Sequence, residues 1–105
     1  TMTRKTLVAA CKKAVLDIEP SASVLLYGSR ANGRARAESD WDFLVLVDGT
    51  VDARRKRRIR RRLYDVEWES GHVLTSIILD RREWERSVQN GIPFHATVSK
   101  QCVAI

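Results

Sequence analysis

Gly28, Ser29, Asp40 and Asp42 are the residues whose types and spacing are best suited to chemistry. Backbone N–H groups at a glycine-containing turn bind phosphate oxygens well, because glycine has no Cβ and lets the backbone approach closely. The Ser29 hydroxyl would donate to a phosphate oxygen, and Arg30 would add a charge-assisted contact. This turn is therefore predicted to hold a nucleoside triphosphate.

The two aspartates predict a site for divalent cations. Side chains two residues apart on a strand leave the same face, with Cα atoms roughly 6.5–7 Å apart, so Asp40 and Asp42 would share ions such as Mg²⁺. In a two-metal transfer one ion activates the attacking hydroxyl, the other neutralises the leaving pyrophosphate, and a third carboxylate is usually needed. Trp41 points away from the pair and is predicted to pack in the core. The chemistry that fits these residues is nucleotidyl transfer.

The elements that flank these residues are predicted from hydrophobic periodicity. Apolar residues recur at three- and four-residue steps over residues 6–19, which indicates an amphipathic helix that Pro20 ends. Residues 24–27 and 43–47 are short apolar runs stopped by turn residues, and both are predicted to be buried strands. The candidate ligands therefore lie in and beside the loop between two strands.

The segment after the second strand is predicted to form a helix over residues 51–63 and then a strand over residues 64–69. The helix prediction rests on composition, with Ile59 and Leu63 forming a narrow apolar edge. Residues 64–69 alternate apolar and acidic side chains, which is typical of a strand. The third carboxylate is expected in the acidic row of this strand, which consists of Asp65, Glu67 and Glu69.

The remaining sequence predicts a hairpin and further short elements. Ser70-Gly71 is expected to turn the chain into a returning strand over residues 73–79, and a short helix is expected over residues 80–88. Residues 93–105 are expected to hold one more short helix and a terminal strand. These elements predict an α/β (α+β) fold, with a short, mixed, twisted sheet of four to five strands and helices mainly on one face.

Length, composition and cysteine usage limit the function classes. Residues 1–105 are predicted to form a single domain, since the chain is near the usual size of one core and 44% of its residues are hydrophobic. Cys11 and Cys102 lack the spacing of a zinc site and are interpreted as buried thiols in a reducing cytoplasm. No signal-peptide core or membrane span is visible. A cytoplasmic protein without membrane association is therefore expected.

The net charge of +6 is unevenly distributed. Eight of the nineteen Lys and Arg residues lie in segment 54–62, and the rest of the chain has more acidic than basic residues. Nucleic-acid binding, docking of a protein partner and plain solvation of a helix face all stay open, although no aromatic residue is interleaved within the run. Arg61 and Arg62 are placed where they could reach a bound substrate. The run consists of Arg54, Arg55, Lys56, Arg57, Arg58, Arg60, Arg61 and Arg62.

The sequence Gly28-Ser29, ten intervening residues, then Asp40-x-Asp42 resembles the signature of the DNA polymerase beta-like nucleotidyltransferase superfamily. The compact length is similar to that of its minimal nucleotidyltransferase (MNT) branch. By this resemblance Gly28 and Ser29 would hold the triphosphate, and Asp40 and Asp42 would be catalytic residues that bind magnesium.

The resemblance also implies a third carboxylate on the strand predicted over residues 64–69. The family pattern there is an acid flanked by apolar residues. Asp65 fits that pattern best, as a catalytic residue and third metal ligand. Glu67 is close behind because it points to the same face, and Glu69 stays as a further alternative.

Many such small proteins are similar to antitoxins encoded beside HEPN-domain toxins, which they can silence by transferring AMP onto a toxin tyrosine. The resemblance therefore implies ATP as the substrate, Mg²⁺ as the cofactor and a HEPN-type toxin as the partner in a hetero-oligomer. Two alternatives stay open. One is a non-catalytic, antitoxin-like binding module, and the other is a nucleic-acid binder that uses the arginines of segment 54–62.

Overall fold

The computed structural model describes residues 3–28, 40–93 and 102–105. The elements in these ranges are, in chain order, α1 (Arg4–Ile18), β1 (Ser23–Tyr27), β2 (Trp41–Val47), α2 (Ala53–Ser70), β3 (Leu74–Asp80), α3 (Arg81–Gln89) and β4 (Val103–Ala104). None of the helices in these ranges is long and apolar enough to cross a membrane.

The strands form one mixed sheet in the order β3-β2-β1-β4. β1 pairs antiparallel with both β2 and β4, whereas β2 and β3 run parallel. Because a parallel pair needs a crossover connection, α2 carries the chain from β2 to β3 across one face of the sheet. The predicted α/β class is confirmed, as are the mixed sheet and the two strands on either side of the Gly28 to Asp40 segment.

β2 lies at the centre of the core, and both of its faces are covered. Phe43 and Val45 pack with α1 and α2, whereas Leu44 and Leu46 pack with Trp84 of α3. This division follows from the strand geometry, since alternate residues point to opposite faces. Two helices therefore cover one face and α3 covers part of the other, which agrees with the prediction of helices mainly on one face.

α1 begins and ends close to the predicted helix. The Thr3 side chain accepts a hydrogen bond from the Thr6 backbone N–H at 3.2 Å and caps the first turn. At the other end, the Arg55 guanidinium donates to both carboxylate oxygens of Glu19 at 2.6 and 3.0 Å, so the end of α1 is fixed to the start of α2. The buried residues of α1 follow the predicted steps and are Leu7, Cys11, Ala14 and Val15.

α2 differs from the prediction, because the strand expected over residues 64–69 is helical. One continuous helix runs from its Asp52 N-cap to Gly71, which ends it with a φ of +72°. No glycine or proline interrupts residues 53–70, so the helix that starts in the arginine run can propagate. The buried residues follow steps of four, three and four, which is a helical period: Ile59, Leu63, Val66 and Ser70.

β3 is present as predicted, but its partner is different. The expected hairpin with residues 64–69 is wrong, since those residues belong to α2 and β3 instead pairs in parallel with β2. α3 is confirmed within one residue of its predicted bounds, and the Asp80 side chain caps it by accepting from the Arg82 N–H at 3.0 Å. The expected terminal strand is confirmed as β4, while the short helix predicted before it falls mainly outside the described residues.

Candidate active site

The turn after β1 brings the backbone against a carboxylate of the neighbouring strand. Gly28 has a φ of +74°, in the left-handed region that favours glycine. A Cβ at this position would overlap Oδ2 of Asp42. Any other residue at position 28 would therefore displace either the turn or the carboxylate. Ser29 and Arg30, the other predicted triphosphate contacts, lie outside the described residues.

The two aspartates lie at the start of β2. Asp40 directly precedes the strand and is exposed, whereas Asp42 is the second residue of the strand and is half-buried. Asp42 lies opposite Tyr27 in the antiparallel register of β1 and β2. Trp41 is 3% exposed and packs on the other face with α1 and α2, where its ring meets His72 edge to face at 6.0 Å. The predicted core packing of Trp41 is therefore confirmed.

Asp42 is oriented by a hydroxyl from the parallel strand. The Thr75 side chain donates to Oδ1 of Asp42, and the register of β2 and β3 places these two residues side by side. Burial and the negative charge of Asp42 raise the pKa of the Tyr27 phenol, although a hydrogen bond with Thr75 partly offsets the increase. The charge that disfavours a tyrosinate here would favour a bound cation.

The predicted third carboxylate does not lie on a strand. Residues 64–69 form the last turns of α2, and α2 packs on the face of the sheet opposite to Asp42. Asp65 is exposed on the side of α2 that faces α1, where it lines a cavity with Lys13. In the described ranges, no three His, Cys, Asp or Glu side chains are close enough to hold a metal ion together. The placement of Asp65 on a strand beside Asp42 is therefore wrong.

Glu67 lies nearer to β3, but it is engaged there by the backbone. Its carboxylate accepts a hydrogen bond from the Leu74 N–H at 3.3 Å. The Glu67 charge also contributes, after the larger effect of burial, to the raised pKa of the Cys11 thiol. Both interactions place Glu67 among α1, α2 and the first residue of β3. The predicted strand position of Glu67 is wrong for the same reason as that of Asp65.

Thr75 is the functional candidate that the sequence pattern did not identify. β3 lies beside β2 at the edge of the sheet that the described residues form. Thr75 is the residue of β3 that lies opposite Asp42. A polar residue within the apolar run of β3 was a signal, but the predicted hairpin paired that run with the wrong segment. Its position facing Asp42 is the one in which a third carboxylate would be needed.

The described residues fit one divalent cation better than two. Mg²⁺ is commonly bound by one or two carboxylates together with substrate phosphates, and Asp40 and Asp42 supply that number. A second ion bound at the attacking hydroxyl would need a further carboxylate, and position 75 carries a hydroxyl that already donates to Asp42. The site as described is thus suited to an ion that arrives with a triphosphate.

A basic cavity of about 550 Å³ adjoins this position at the open edge of β3. Arg60 fixes α2 to the edge by donating to the Ser76 carbonyl at 3.2 Å. Arg61 lines the cavity, whereas Arg62 is paired with Asp17 at 2.7 Å. The lining residues are Arg57, Arg60, Arg61, Leu63, Tyr64, Glu67, Leu74, Thr75 and Ser76.

Comparison with known proteins bears on the fold and on the family of the chain. The fold is similar to that of a chain in the crystal structure of a toxin–antitoxin with AMP-PNP, at 16% sequence identity and a TM-score of 0.58, over 97% of this chain and 72% of that one. At this identity the likeness concerns the fold alone. No curated protein matches the chain. The family model of the nucleotidyltransferase domain matches residues 8–100, which include both aspartates and the glycine turn, and the chain therefore belongs to the nucleotidyltransferase domain family.

Proposed function

We propose that this protein is a magnesium-dependent nucleotidyltransferase that moves a nucleoside monophosphate, AMP from ATP, onto a hydroxyl of a partner protein. The observation that carries the proposal is the close approach of the Gly28 turn to Asp42. A turn suited to phosphate oxygens and a carboxylate suited to a cation meet there with no room for a side chain between them. Membership of the nucleotidyltransferase domain family supplies the class of reaction.

The turn and the aspartates would share the binding of the triphosphate. Gly28 permits the backbone to approach the phosphates, and Ser29 and Arg30 would donate to their oxygens. Asp40 and Asp42 would hold Mg²⁺, which when bound would neutralise the phosphates and the leaving pyrophosphate. Without the cation these two carboxylates would repel ATP, so nucleotide binding should require the metal.

Thr75 would act as a positioning residue for Asp42. Its hydroxyl donates to Oδ1, while Oδ2 lies against the Gly28 turn. The carboxylate is thus held with one oxygen towards β3 and the other towards the place proposed for the triphosphate. Asp65 and Glu67 have no part in this proposal, because both lie on α2.

The proposed acceptor is a tyrosine of a HEPN-type toxin, and the protein would then be a cytoplasmic antitoxin of the minimal nucleotidyltransferase branch. The structural neighbour supports this assignment, since it is a toxin–antitoxin and holds AMP-PNP, an analogue of ATP. The Gly28-Ser29 and Asp40-x-Asp42 pattern supports the nucleotide half of the assignment. The partner half rests on the neighbour and on the family resemblance.

The proposal is tested by incubating the protein with ATP labelled at the α-phosphate, Mg²⁺ and the product of the adjacent reading frame. Label should pass to the partner, and Asp42→Asn should abolish the transfer. Asp65→Asn is the matched control, because it removes the same charge from an exposed position on α2 and should leave the labelling unchanged. Labelling that survives Asp42→Asn, or that Asp65→Asn abolishes, contradicts the proposed site.

A non-catalytic binding module is a second candidate, and Thr75 is the observation that favours it. A hydroxyl occupies the position opposite Asp42 where a third carboxylate would be needed. A module that silences its partner by surface contact would not need that carboxylate. In that case the Asp42→Asn variant should silence the partner as effectively as the unmodified protein does. Neither of these two proteins should transfer label to the partner.

A further inference from the structure

α2 continues beyond the basic run, and this places aromatic residues beside arginines. Steps of four, three and four residues put side chains on one face of a helix. Four exposed residues of α2 follow these steps, and we term them the Arg–aromatic stripe: Arg57, Arg61, Tyr64 and Trp68. The aromatic side chains that the basic run lacks are thus supplied by the next turns of the same helix.

The two aromatic side chains of the stripe are largely exposed to solvent. Tyr64 is 54% exposed and Trp68 is 75% exposed, and their rings meet edge to face with centroids 6.2 Å apart. Trp41 and Trp84, by contrast, are 3% and 8% exposed and pack in the core. Neighbouring exposed rings are suited to stacking on a ligand, because the free energy falls when apolar ring faces are removed from water.

The charges of α2 oppose its own helix dipole. The basic residues occupy the N-terminal part of the helix, its first turn has no acidic residue, and its last turn has no basic residue. A cation near a helix N-terminus is unfavourable by about 0.3–1 kcal/mol when it lies in the first turn. The helix dipole therefore does not account for the arginine run, which must be explained by the contacts that its side chains make inside or outside the protein.

Part of the run forms ion pairs within the described part of the chain, but the arginines of the stripe form none there. Arg55 and Arg62 form ion pairs with carboxylates at the end of α1, at 2.6 and 2.7 Å. Within residues 3–28, 40–93 and 102–105, no carboxylate forms an ion pair with Arg57 or Arg61. The guanidinium groups of the stripe are thus available to an anionic ligand.

We propose that the Arg–aromatic stripe binds single-stranded nucleic acid, with its arginines on phosphates and its rings stacked on bases. A run of acidic side chains would satisfy the arginines but would not by itself stack on the two rings, whereas every nucleotide carries both a phosphate and an aromatic base. A membrane surface would need a broad apolar helix face, and the apolar face of α2 is buried in the core. Of these ligands, a single strand is the one that uses both residue types.

The stripe adjoins the proposed active site. Arg57, Arg61 and Tyr64 line the same cavity as Thr75, and Thr75 donates to Asp42. A strand bound along α2 would therefore run past this cavity at the edge of the sheet, while the Asp42 carboxylate lies on the face of the sheet opposite to α2. The inference goes beyond the proposed transfer reaction and does not rest on it, since binding needs only the outer face of α2.

The first test measures the salt dependence of binding, by fluorescence anisotropy of labelled oligouridylate and oligothymidylate of about twelve nucleotides. Arg57→Ala combined with Arg61→Ala should lower the log–log salt slope by about 1.4, the value for two lost phosphate contacts on a single strand. Arg54→Ala combined with Arg58→Ala is the matched control, because it removes the same charge from the neighbouring exposed flank. It should change the slope by less than half as much.

The second test isolates stacking from charge. Trp68→Ala should weaken binding roughly 5- to 150-fold, the range for one lost stacked base, and should leave the salt slope unchanged. Trp68→Phe keeps a ring and should restore most of the affinity. Because Trp68 is exposed, circular dichroism should show the same fold for both variants.

Binding of either oligonucleotide with these responses supports the inference, and the tighter one identifies RNA or DNA as the ligand. No binding at low salt would overturn it, as would equal effects of the two double variants. Polyglutamate that binds as tightly as the oligonucleotides would also overturn it, and would point to an acidic protein partner. Asp42→Asn should leave oligonucleotide binding intact, so failure of the transfer reaction and failure of this inference are distinguishable.

Discussion

In the proposed site a backbone turn lies against a carboxylate of the neighbouring strand. Gly28 combines a left-handed φ with the absence of a Cβ, and its position leaves Oδ2 of Asp42 directly against the turn. A left-handed φ alone does not mark a binding site, because many turns use a left-handed glycine that contacts no functional side chain. Gly71 is such a residue, with a φ of +72° and, apart from its chain neighbours, no atom of the described residues within 4 Å of an added Cβ. Gly28 and Gly71 therefore offer a matched comparison of the same substitution with and without the contact to Asp42.

Gly28→Ala should lower both stability and nucleotide affinity, whereas Gly71→Ala should lower stability alone. A left-handed alanine costs about 1–2 kcal/mol, and both variants should show that loss of unfolding free energy in urea. Gly28→Ala should lose more, because its methyl group also overlaps Asp42, and its affinity for Mg·ATP should fall by roughly tenfold, or about 1.4 kcal/mol. Equal losses in the two variants would show that the contact with Asp42 is unimportant.

Thr75→Asp should turn the position opposite Asp42 into a third metal ligand. Without metal, the new charge should destabilise the protein by about 1–4 kcal/mol, the Coulomb energy of two unit charges roughly 4 Å apart near a protein surface. Manganese should restore the melting temperature, because three carboxylates then surround the cation. Thr75→Asn is the control of similar shape without charge. A similar response of both variants to manganese in calorimetry would contradict this picture of the site.

Sequence patterns predicted most of the helices and strands, but they did not predict the helical crossover between β2 and β3. α1 was predictable from its helical period, β1 and β2 from short apolar runs that stop at turn residues, and α3 from the capping sequence that starts at Asp80. Residues 64–69 satisfy two periods at once. Their strict alternation favours a strand, while Val66 continues the helical spacing set by Ile59 and Leu63. The absence of a glycine or proline before Gly71 decided the outcome in favour of the helix.

That one element determines how much of the site could be predicted. The Gly28 turn and the aspartates beside it lie on elements with unambiguous patterns, and the structure brings Gly28 and Asp42 together. The third position depends on which strand lies beside β2, which is long-range information that local periodicity does not contain. With α2 as a crossover, β3 becomes the parallel neighbour and Thr75 faces Asp42. The same continuation of α2 aligns the exposed aromatics with the arginines.

Across the whole molecule, α2 joins three parts of the structure. Its inner face closes the core over β2, its start is fixed to the end of α1 through Arg55 and Glu19, and its outer face carries the Arg–aromatic stripe. Arg60 then ties it to the open edge of β3 beside Thr75. A ligand on the stripe would therefore bind an element whose position is already fixed by the core. Binding there should not require refolding of α2.

The stability of the whole protein should fall at alkaline pH because of Cys11. This cysteine is fully buried between α1 and the sheet, whereas Cys102 is half-buried. Burial, with a smaller contribution from the charge of Glu67, raises the pKa of the Cys11 thiol from 9.0 to about 12. Between these two pH values the unfolded chain loses the thiol proton, whereas the folded chain keeps it. The stability that the neutral thiol contributes is therefore complete below pH 9 and declines as the pH rises towards 12. Cys11→Ala removes the titrating group, and its unfolding free energy in urea should therefore approach that of the unmodified protein by up to about 1.4 kcal/mol per pH unit above pH 9. A difference between the two proteins that is the same at pH 8 and at pH 10 would contradict this assignment of the alkaline transition.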